Sequence, residues 1–554
     1  MADHTEAARS ISTARSEVPT DMGDAHVGSE PYISPLLGLP CELLVHTASF
    51  LSPDDFFSLR LTCRRAEIFL FDSFSEEFFS DRRFMVSEYS LGCLLNISKH
   101  PNLSRCLSKL TIGLDRIYSN PALPYPNLNR NMVRDNVPHR GKFEDQDREE
   151  LAVEQNWMVA SGRLQLLLGE ALSRLPNLVE LTIRDYNVPN SSRRPGSREV
   201  VVSYGTKRVL SYTGVDFVAH ESHLISQDQF PDMIFTTSLL AVARSSKRLK
   251  AITVDIRKKD MGLSSSAFAI PKSLTESLRF TLQDLRSLDI SVSFTYVSLG
   301  SFTTSSLGFL PWQPHYLFKL LEHTPNLIRL RVGSKGASFL KDGIIGWLAQ
   351  LVDLSRGKKV QGLRMNGVLN MSTSLNHCAQ AQRFQMLQEL ELENMTAPAS
   401  SLSKVLLHLT SSLRKLCLRT VGVYVGSEED ELDNDPRSPN AWTTIFQDIS
   451  KSLNLEEIHV SSLGHHTPEC STKDNNRHQV AFLRSDTGVQ SGPDNGLLNS
   501  WSHSGSAPAM KSFLQEVAEK TVVICTSCKQ RNSGYRTCED ILEENLIASS
   551  IVSR

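Results

Sequence analysis

A short apolar unit close to the form L-x-x-L-x-[LIVM] recurs along most of this 554-residue chain. Its last two apolar positions alternate with a polar one, as on a half-buried β-strand, and several copies follow an amphipathic helical segment. Units that each hold one helix and one strand bury their apolar faces against their neighbours, so the pattern predicts an irregular helix/strand solenoid. The copies are LSKLTI, LVELTI, LKAITV, LRSLDI, LIRLRV, VQGLRM, LQELEL, LRKLCL and LEEIHV, which begin at residues 107, 178, 249, 285, 327, 360, 387, 413 and 455.

The segments in front of these units strengthen the prediction. Leu164 and Leu168, for example, lie on one helical face ahead of LVELTI. The breaks HPNL, LPNL and TPNL place Asn102, Asn177 and Asn326 beside a proline, where a helix must stop. A three-position apolar template also matches by chance, so an ordinary α/β domain with similar local patterns stays open as the alternative.

The length of the chain requires more than one structural unit, because single cores stop growing at roughly 250–300 residues. We expect an α+β protein, or an α/β repeat, in four parts: a disordered tail at 1–32, a helical module at 33–85, the repeat region with loop insertions at 86–463, and a weakly patterned region at 464–554. The tail has almost no large apolar side chains, so burial cannot offset the entropy of ordering it. The last part offers one helix, MKSFLQEVAEK, and one strand, TVVIC.

Charge and hydropathy limit the classes of partner. With 59 Lys and Arg against 61 Asp and Glu, the net charge of −2 argues against nucleic acid as a general partner. No stretch approaches the ~20 apolar residues that cross a bilayer, so we expect no membrane partner. The first 30 residues lack the apolar core of a secretory signal, so we expect a soluble protein of the cytoplasm, the nucleus or both.

Catalytic and metal-binding motifs are scarce. The sequence has no Gly-rich phosphate loop, nucleophile elbow or His-Glu-x-x-His helix, so it favours a protein without catalytic residues or cofactors. Cys525, Cys528 and Cys538 are the best zinc candidates, but they lack a second C-x-x-C half and are more simply read as incidental cysteines. The acidic run at 426–436 lacks the arrangement of a calcium loop and is expected to be a solvated loop.

The stretch LLGLPCELLVHTASFLSPDDFFSLRLTCRRAEIF, residues 36–69, predicts two short helices. Ser52 suits the N-cap of the second helix, Pro53 suits its first position, and Asp54 and Asp55 complement its positive end. The first helix is predicted to have one largely apolar face, formed by Leu43, Leu44, Thr47, Phe50 and Leu51.

This stretch resembles an F-box, and its continuation into leucine-rich units is similar to the F-box proteins abundant in filamentous fungi. The resemblance implies a helical module that docks on a Skp-type linker protein and, through it, on a cullin, followed by a degenerate leucine-rich-repeat region that captures a protein client. Thr47 stands where the family pattern usually has a β-branched apolar residue. The positions that the resemblance assigns to linker binding are Leu39, Pro40, Glu42, Leu43, Leu44, Leu51, Asp55, Phe56, Leu59 and Cys63.

The resulting hypothesis is a substrate-recognition adaptor, the non-catalytic subunit of a Skp/cullin/F-box ubiquitin ligase. It would act by proximity, holding a client's lysines near the ubiquitin-loaded enzyme. The alternative is a repeat scaffold or protein-interaction module without ubiquitin transfer to a client, and an enzyme with an unrecognised site is a third possibility. The client stays unspecified, and the scattered basic residues of the repeats form no arginine cluster in the sequence that would favour a phosphorylated client.

Overall fold

A computed structural model describes residues 36, 38–119, 142–189, 200–217, 224, 228–258, 261–293, 313–321, 323–334, 386–409, 411–424, 440–466, 477–483 and 497–524. These residues form a mixture of helices and strands, with helices alone in the N-terminal part. The chain divides into two compact units, the first ending at Ser73 and the second beginning at Phe74. The expected tail at 1–32, the acidic run at 426–436 and the unit that begins at 360 lie outside the described residues.

The described part of the first unit is helical. It contains α1 (Cys41–Ala48), α2 (Pro53–Leu61) and most of α3 (Arg64–Phe79). The predicted start of α2 is confirmed, because Ser52 caps the helix and Pro53 is its first residue. The division at Ser73 falls earlier than the expected end of the helical module at residue 85. Residues 81–85 form a strand that pairs with the next strand of the second unit.

The second unit combines many helices with three sheets. Its described helices are α4 (Glu88–Lys99), α5 (Leu103–Cys106), α6 (Lys142–Ala160), α7 (Arg163–Ser173), α8 (Thr206–Thr213), α9 (Phe230–Ser245), α10 (Thr275–Leu282), α11 (Gln313–Leu321), α12 (Ala399–His408), α13 (Ala441–Ser452) and α14 (Ala507–Lys520). Short 3₁₀ turns lie at Ser265–Phe268 and Lys272–Leu274. The described strands are β1 (Asp81–Met85), β2 (Lys109–Gly113), β3 (Glu180–Arg184), β4 (Val188–Pro189), β5 (Val200–Val201), β6 (Ala251–Asp255), β7 (Ser287–Val292), β8 (Arg329–Ser334), β9 (Glu389–Glu393), β10 (Thr396–Pro398), β11 (Lys415–Arg419), β12 (Gly422–Tyr424), β13 (Glu457–Ser461), β14 (Gly464–His466), β15 (Arg477–Leu483), β16 (Leu497–Leu498), β17 (Ser500–Ser504) and β18 (Thr521–Ile524).

The main sheet follows the recurring units of the sequence. Its described strands lie in the order β1-β2-β3-β6-β7-β8-β9-β11-β13-β17, all parallel except β17. Every described unit supplies one strand, so the predicted strands are confirmed there. The first leucine of each of these units is at most 2% exposed. The two apolar strand positions are also buried, which explains the spacing of the pattern.

Main-chain hydrogen bonds join each described unit to the next in the same way. The N–H groups of Val179 and Glu180 both donate to the carbonyl of Ser108, at 2.9 and 3.1 Å. The carbonyls that accept two N–H groups in this manner are those of Ser80, Ser108, Val179, Lys250, Arg286, Ile328, Gln388 and Arg414. The register between units is therefore supported by main-chain bonds that recur whatever the side chains.

The Pro-Asn breaks also connect units. Asn177 Nδ2 donates to the carbonyl of Arg105 at 2.7 Å, and Asn326 Nδ2 donates to the carbonyl of Gln283 at 2.8 Å. Each bond spans two consecutive units. The sequence pattern predicted where the helices end, but not that the asparagine side chain at two of these ends reaches back to the preceding unit.

A second sheet begins at three equivalent corners. Directly after β9, β11 and β13, one residue has left-handed backbone. A short strand follows in each case, and these strands, β10, β12 and β14, pair in parallel. The corner residues are Asn394, Thr420 and Ser462, with φ of 55°, 55° and 52°. Each corner residue directly follows its main-sheet strand and stands two residues before the strand of the second sheet, so the three units are alike at this point.

Thr420 is the least suitable residue for such a corner, because a β-branched side chain disfavours left-handed backbone. Replacing Thr420 by asparagine, the residue at the equivalent corner at 394, should raise the free energy of unfolding by about 0.5–1 kcal/mol, part of the roughly 1–2 kcal/mol cost of this conformation. Urea unfolding of the full chain measures the change. Thr444→Asn, an exposed helical position, is the control and should be neutral. A lower urea midpoint for Thr420→Asn would contradict the argument.

The described residues between 464 and 524 contribute more to the core than their weak sequence pattern indicates. Val480 and Phe482 of β15 are fully buried, and Met510 and Leu514 of α14 join the same apolar cluster as the units before them. The helix and the strand predicted in MKSFLQEVAEK and TVVIC are confirmed as α14 and β18. The antiparallel pairings of β15 and β17 are long-range, and local periodicity carries no information about them.

Candidate partner-binding site

A small apolar core holds the helices of the first unit. Leu44 and Ala48 of α1, Phe56 of α2, and Ala66 and Leu70 of α3 are all fully buried. The pairs on α1 and α3 are four residues apart, so each pair lies on one helical face. Two of the residues assigned to linker binding, Leu44 and Phe56, therefore stabilise the module itself.

The other assigned residues lie nearer the surface. Pro40, Glu42, Leu43 and Asp55 are exposed. The remaining four are half-buried: Leu39, Leu51, Leu59 and Cys63. Leu43 is 51% exposed although its neighbour Leu44 is fully buried, because consecutive helical residues point about 100° apart. The predicted single face of the first helix is therefore corrected: the side chains split between the core and the surface.

Two assigned residues define where helices begin. Asp55 N donates to Ser52 Oγ at 3.2 Å, and Ser52 Oγ donates to Asp55 Oδ2 at 2.7 Å, so serine and aspartate fix the first turn of α2 together. Cys63 directly precedes α3, and its Sγ accepts a hydrogen bond from Ala66 N at 3.4 Å. Both side chains orient the helices that carry the exposed apolar residues.

Sequence reasoning did not assign several exposed apolar side chains to the site. Phe50 is 72% exposed, Leu61 73%, Ile68 64% and Leu36 37%. The signal for Ile68 is its position two residues from both Ala66 and Leu70, which places it opposite the buried face of α3. Exposed aliphatic and aromatic side chains of this kind anchor protein partners, because a partner removes their surface from water.

Thr47 is exposed, and its hydroxyl donates to the carbonyl of Leu43 at 2.8 Å. The hydroxyl is therefore satisfied within α1 and is not forced into an apolar core. The departure from the family pattern at this position is accommodated on the surface of the module.

The polar face of the main sheet is a second candidate surface. Strand register places half-buried polar side chains side by side across five strands, namely Asp289, Arg331, Glu391, Cys417 and His459. A groove of about 580 Å³ lies over β9, β11, β13 and β17. Its charged lining residues carry both signs and are Arg329, Glu389, Glu391, Lys415, Arg419 and Glu457.

Ion pairs organise this face. Arg331 contacts Asp289 at 3.0 Å, Glu391 at 3.3 Å and Glu393 at 2.6 Å. Burial lowers the pKa of Arg331, but the surrounding carboxylates outweigh burial, so the pKa is raised and the guanidinium stays charged. Lys415 joins Glu389 at 3.6 Å to Glu457 at 3.1 Å. The arrangement presents fixed charges for recognition.

Metal sites and membrane-spanning helices were also considered among the described residues. They contain no group of three or more histidine, cysteine or acidic side chains placed to hold a metal ion. The zinc candidates Cys525, Cys528 and Cys538 lie beyond the described ranges. Among the described helices, none is long and apolar enough to cross a bilayer.

Comparison with protein families identifies the first unit. Residues 36–71 match the family model of the F-box domain. This range covers α1, α2 and the first half of α3, including every residue that the resemblance assigned to linker binding. Comparison with curated proteins gives no match to the chain. The family match supports an F-box protein.

Proposed function

We propose that this F-box chain is a substrate-recognition adaptor of a Skp/cullin/F-box ubiquitin ligase. F-box domains in general bind Skp-type linker proteins within cullin complexes, and F-box proteins are typically non-catalytic substrate receptors. The match at residues 36–71 carries the proposal. Exposed apolar residues of the same module, including Leu43, Phe50 and Ile68, support it because they supply anchors for a partner.

The client is captured, in this proposal, by the region after the F-box. We infer that residues 86–463 form an irregular leucine-rich-repeat-like solenoid whose polar sheet face meets a protein client. The parallel strands in chain order and the repeated main-chain bonds between units support this arrangement. The paired charges around Arg331 and Lys415 would select a client with complementary charges, because unpaired charges are penalised at an interface.

The mechanism follows from binding at two places. The F-box holds the chain on the linker protein and cullin, and the second unit holds the client, so client lysines have a high effective concentration near the ubiquitin-loaded enzyme. In this proposal the chain positions the client, and the ubiquitin-loaded enzyme forms the bond. We also propose that the chain resides in the cytoplasm, the nucleus or both.

Leu43→Ala is the sharpest test of linker docking. The change removes an exposed anchor and leaves the core residue Leu44 in place, so the module stays folded while the affinity for a purified Skp-type linker protein falls roughly tenfold or more. Leu166→Ala is a matched control, because Leu166 is a helical leucine of the second unit with the same 51% exposure. Calorimetric titration gives the affinities, and circular dichroism checks folding.

Two results would contradict linker docking. The first is a wild-type chain that does not bind the linker protein. The second is a Leu43→Ala variant that binds as tightly as Leu166→Ala. Client turnover that depends on the chain would separate the adaptor from the alternative, a non-catalytic scaffold that binds the linker protein without ubiquitin transfer to a client.

A further inference from the structure

Arg184, the last residue of β3, is a buried arginine with an unsatisfied hydrogen-bond donor. It is 8% exposed, and its Nε has no hydrogen-bond partner. Among the described residues, no carboxylate forms an ion pair with it. An uncompensated charge in such a place is among the costliest features of a folded protein. A feature of this kind requires an explanation.

The two carboxylates that attract Arg184 electrostatically, Asp115 and Asp81, already have cationic partners. Asp115 forms an ion pair with Arg83 at 3.0 Å and also accepts a hydrogen bond from Ser203 Oγ. Asp81 lies 3.9 Å from Lys109. Burial lowers the pKa of Arg184, the neighbouring Arg83 lowers it further, and the longer-range attraction of these carboxylates does not offset the two effects. Neither carboxylate therefore forms an ion pair with Arg184.

The only described aromatic partner is also shared. The guanidinium of Arg184 lies 5.9 Å from the ring centre of Tyr186, whereas that of Arg257 lies 3.5 Å from the same ring. Tyr186 itself donates a hydrogen bond to Asp255 at 2.6 Å. The Tyr186 ring thus lies closer to the guanidinium of Arg257 than to that of Arg184.

Two more buried polar atoms without a partner lie on the same face of the sheet. They are Nε of Arg83 and Oγ1 of Thr111. Thr111 pairs in register with Arg83 on one side and with Thr182 on the other. Arg184 lies two residues after Thr182, so it shares their face. Two guanidinium N–H groups and one hydroxyl therefore lack partners on three adjacent strands.

We propose that Arg184, Thr111 and Arg83 form a binding site for a phosphate-type oxyanion. A phosphate group carries close to two negative charges and three strong acceptor oxygens, which suit two guanidinium groups and a hydroxyl. An arginine fork binds such a group through paired N–H donors. The assignment does not depend on linker docking. It brings together arginines that lie far apart in the sequence and that showed no cluster there.

Inorganic phosphate, titrated into the full chain against sodium chloride of matched ionic strength, tests the site. The wild-type chain should show saturable binding by calorimetric titration and a saturable rise in melting temperature. Arg184→Gln removes the charge and keeps much of the shape, so its affinity for phosphate should fall roughly tenfold to a hundredfold, as expected for lost charged hydrogen bonds. Arg257→Gln, a change at the arginine that lies closer to the same Tyr186 ring, is the control and should keep wild-type affinity.

Stability without phosphate provides a second readout. Because Arg184→Gln removes an unpaired buried charge, the phosphate-free variant should melt at the same temperature as the wild type or higher. A lower melting temperature would show a structural role and overturn the proposal. So would the absence of saturable binding to the wild type, or equal affinity of the wild type and Arg184→Gln.

The source of the phosphate is distinguished by competition. N-acetyl-phosphoserine amide that displaces inorganic phosphate from the wild type, but does not bind Arg184→Gln, would assign the site to a phosphorylated protein side chain. Binding of inorganic phosphate alone, with the same dependence on Arg184, would assign it to the free anion. Either result supports an oxyanion site at this face of the sheet.

Discussion

Replacing Phe56 by alanine is expected to unfold the first unit and to abolish linker binding with it. Phe56 is fully buried in a small core with Leu44, Ala48, Ala66 and Leu70. Truncating a buried phenylalanine to alanine costs about 3–5 kcal/mol. Whole domains are stable by only about 5–15 kcal/mol, and a small helical unit lies at the lower end of that range. Hydrogen exchange of α1–α3 in the full chain measures the loss of protection.

Phe50→Ala is the matched control for this change. The same truncation at a side chain that is 72% exposed should alter stability by less than about 0.5 kcal/mol. It should nevertheless weaken linker binding, because an exposed aromatic anchor is lost. Retained protection in Phe56→Ala, or equal loss of protection in both variants, would refute the distinction between core and surface residues of the module.

Replacing Arg83 by methionine is expected to destabilise the second unit by about 3–5 kcal/mol, because the change leaves the buried carboxylate of Asp115 without its ion-pair partner. The side chains of Arg83 and Asp115 are 1% and 5% exposed. Arg83 also donates to the carbonyl of Tyr186 at 2.7 Å and to Asn187 Oδ1 at 2.5 Å, and both bonds are lost with it. Differential scanning calorimetry of the full chain measures the change.

An exposed pair provides the comparison. Arg174 and Glu170 lie 2.7 Å apart but are 43% and 44% exposed, so Arg174→Met should leave the melting temperature nearly unchanged. The double variant Arg83→Met with Asp115→Asn should be less destabilised than the sum of its single variants, because neither partner is left charged and alone. Similar melting temperatures for Arg83→Met and Arg174→Met would exclude an energetic role for the buried pair.

Local periodicity predicts a large part of this fold. The alternation in units such as LVELTI identifies the strand and its buried face, because burial of every second residue is a local property. The start of α2 at Ser52 is equally local, because it depends only on one serine and on the proline and two aspartates that follow it. The same reasoning cannot find the pairing of Arg83 with Asp115, whose partners meet only when β1 and β2 are side by side.

The candidate sites show the same limit. Leu43, Leu44 and Phe56 are all apolar members of one pattern, and the pattern cannot separate a core residue from a surface anchor. Tertiary packing decides this, as the contrast between Leu43 and Leu44 shows. The burial of Arg184 could likewise not be predicted from the sequence, because its neighbours are those of an ordinary strand end.

The repeated bonding of one carbonyl to two N–H groups of the next unit has a consequence for how such a chain can change. Since main-chain atoms carry the register, substitutions on the polar sheet face leave the alignment of neighbouring strands intact. A gene segment that encodes one helix and one strand can be duplicated or lost while the remaining carbonyls find equivalent donors. The architecture can therefore be conserved while the side chains that determine specificity change.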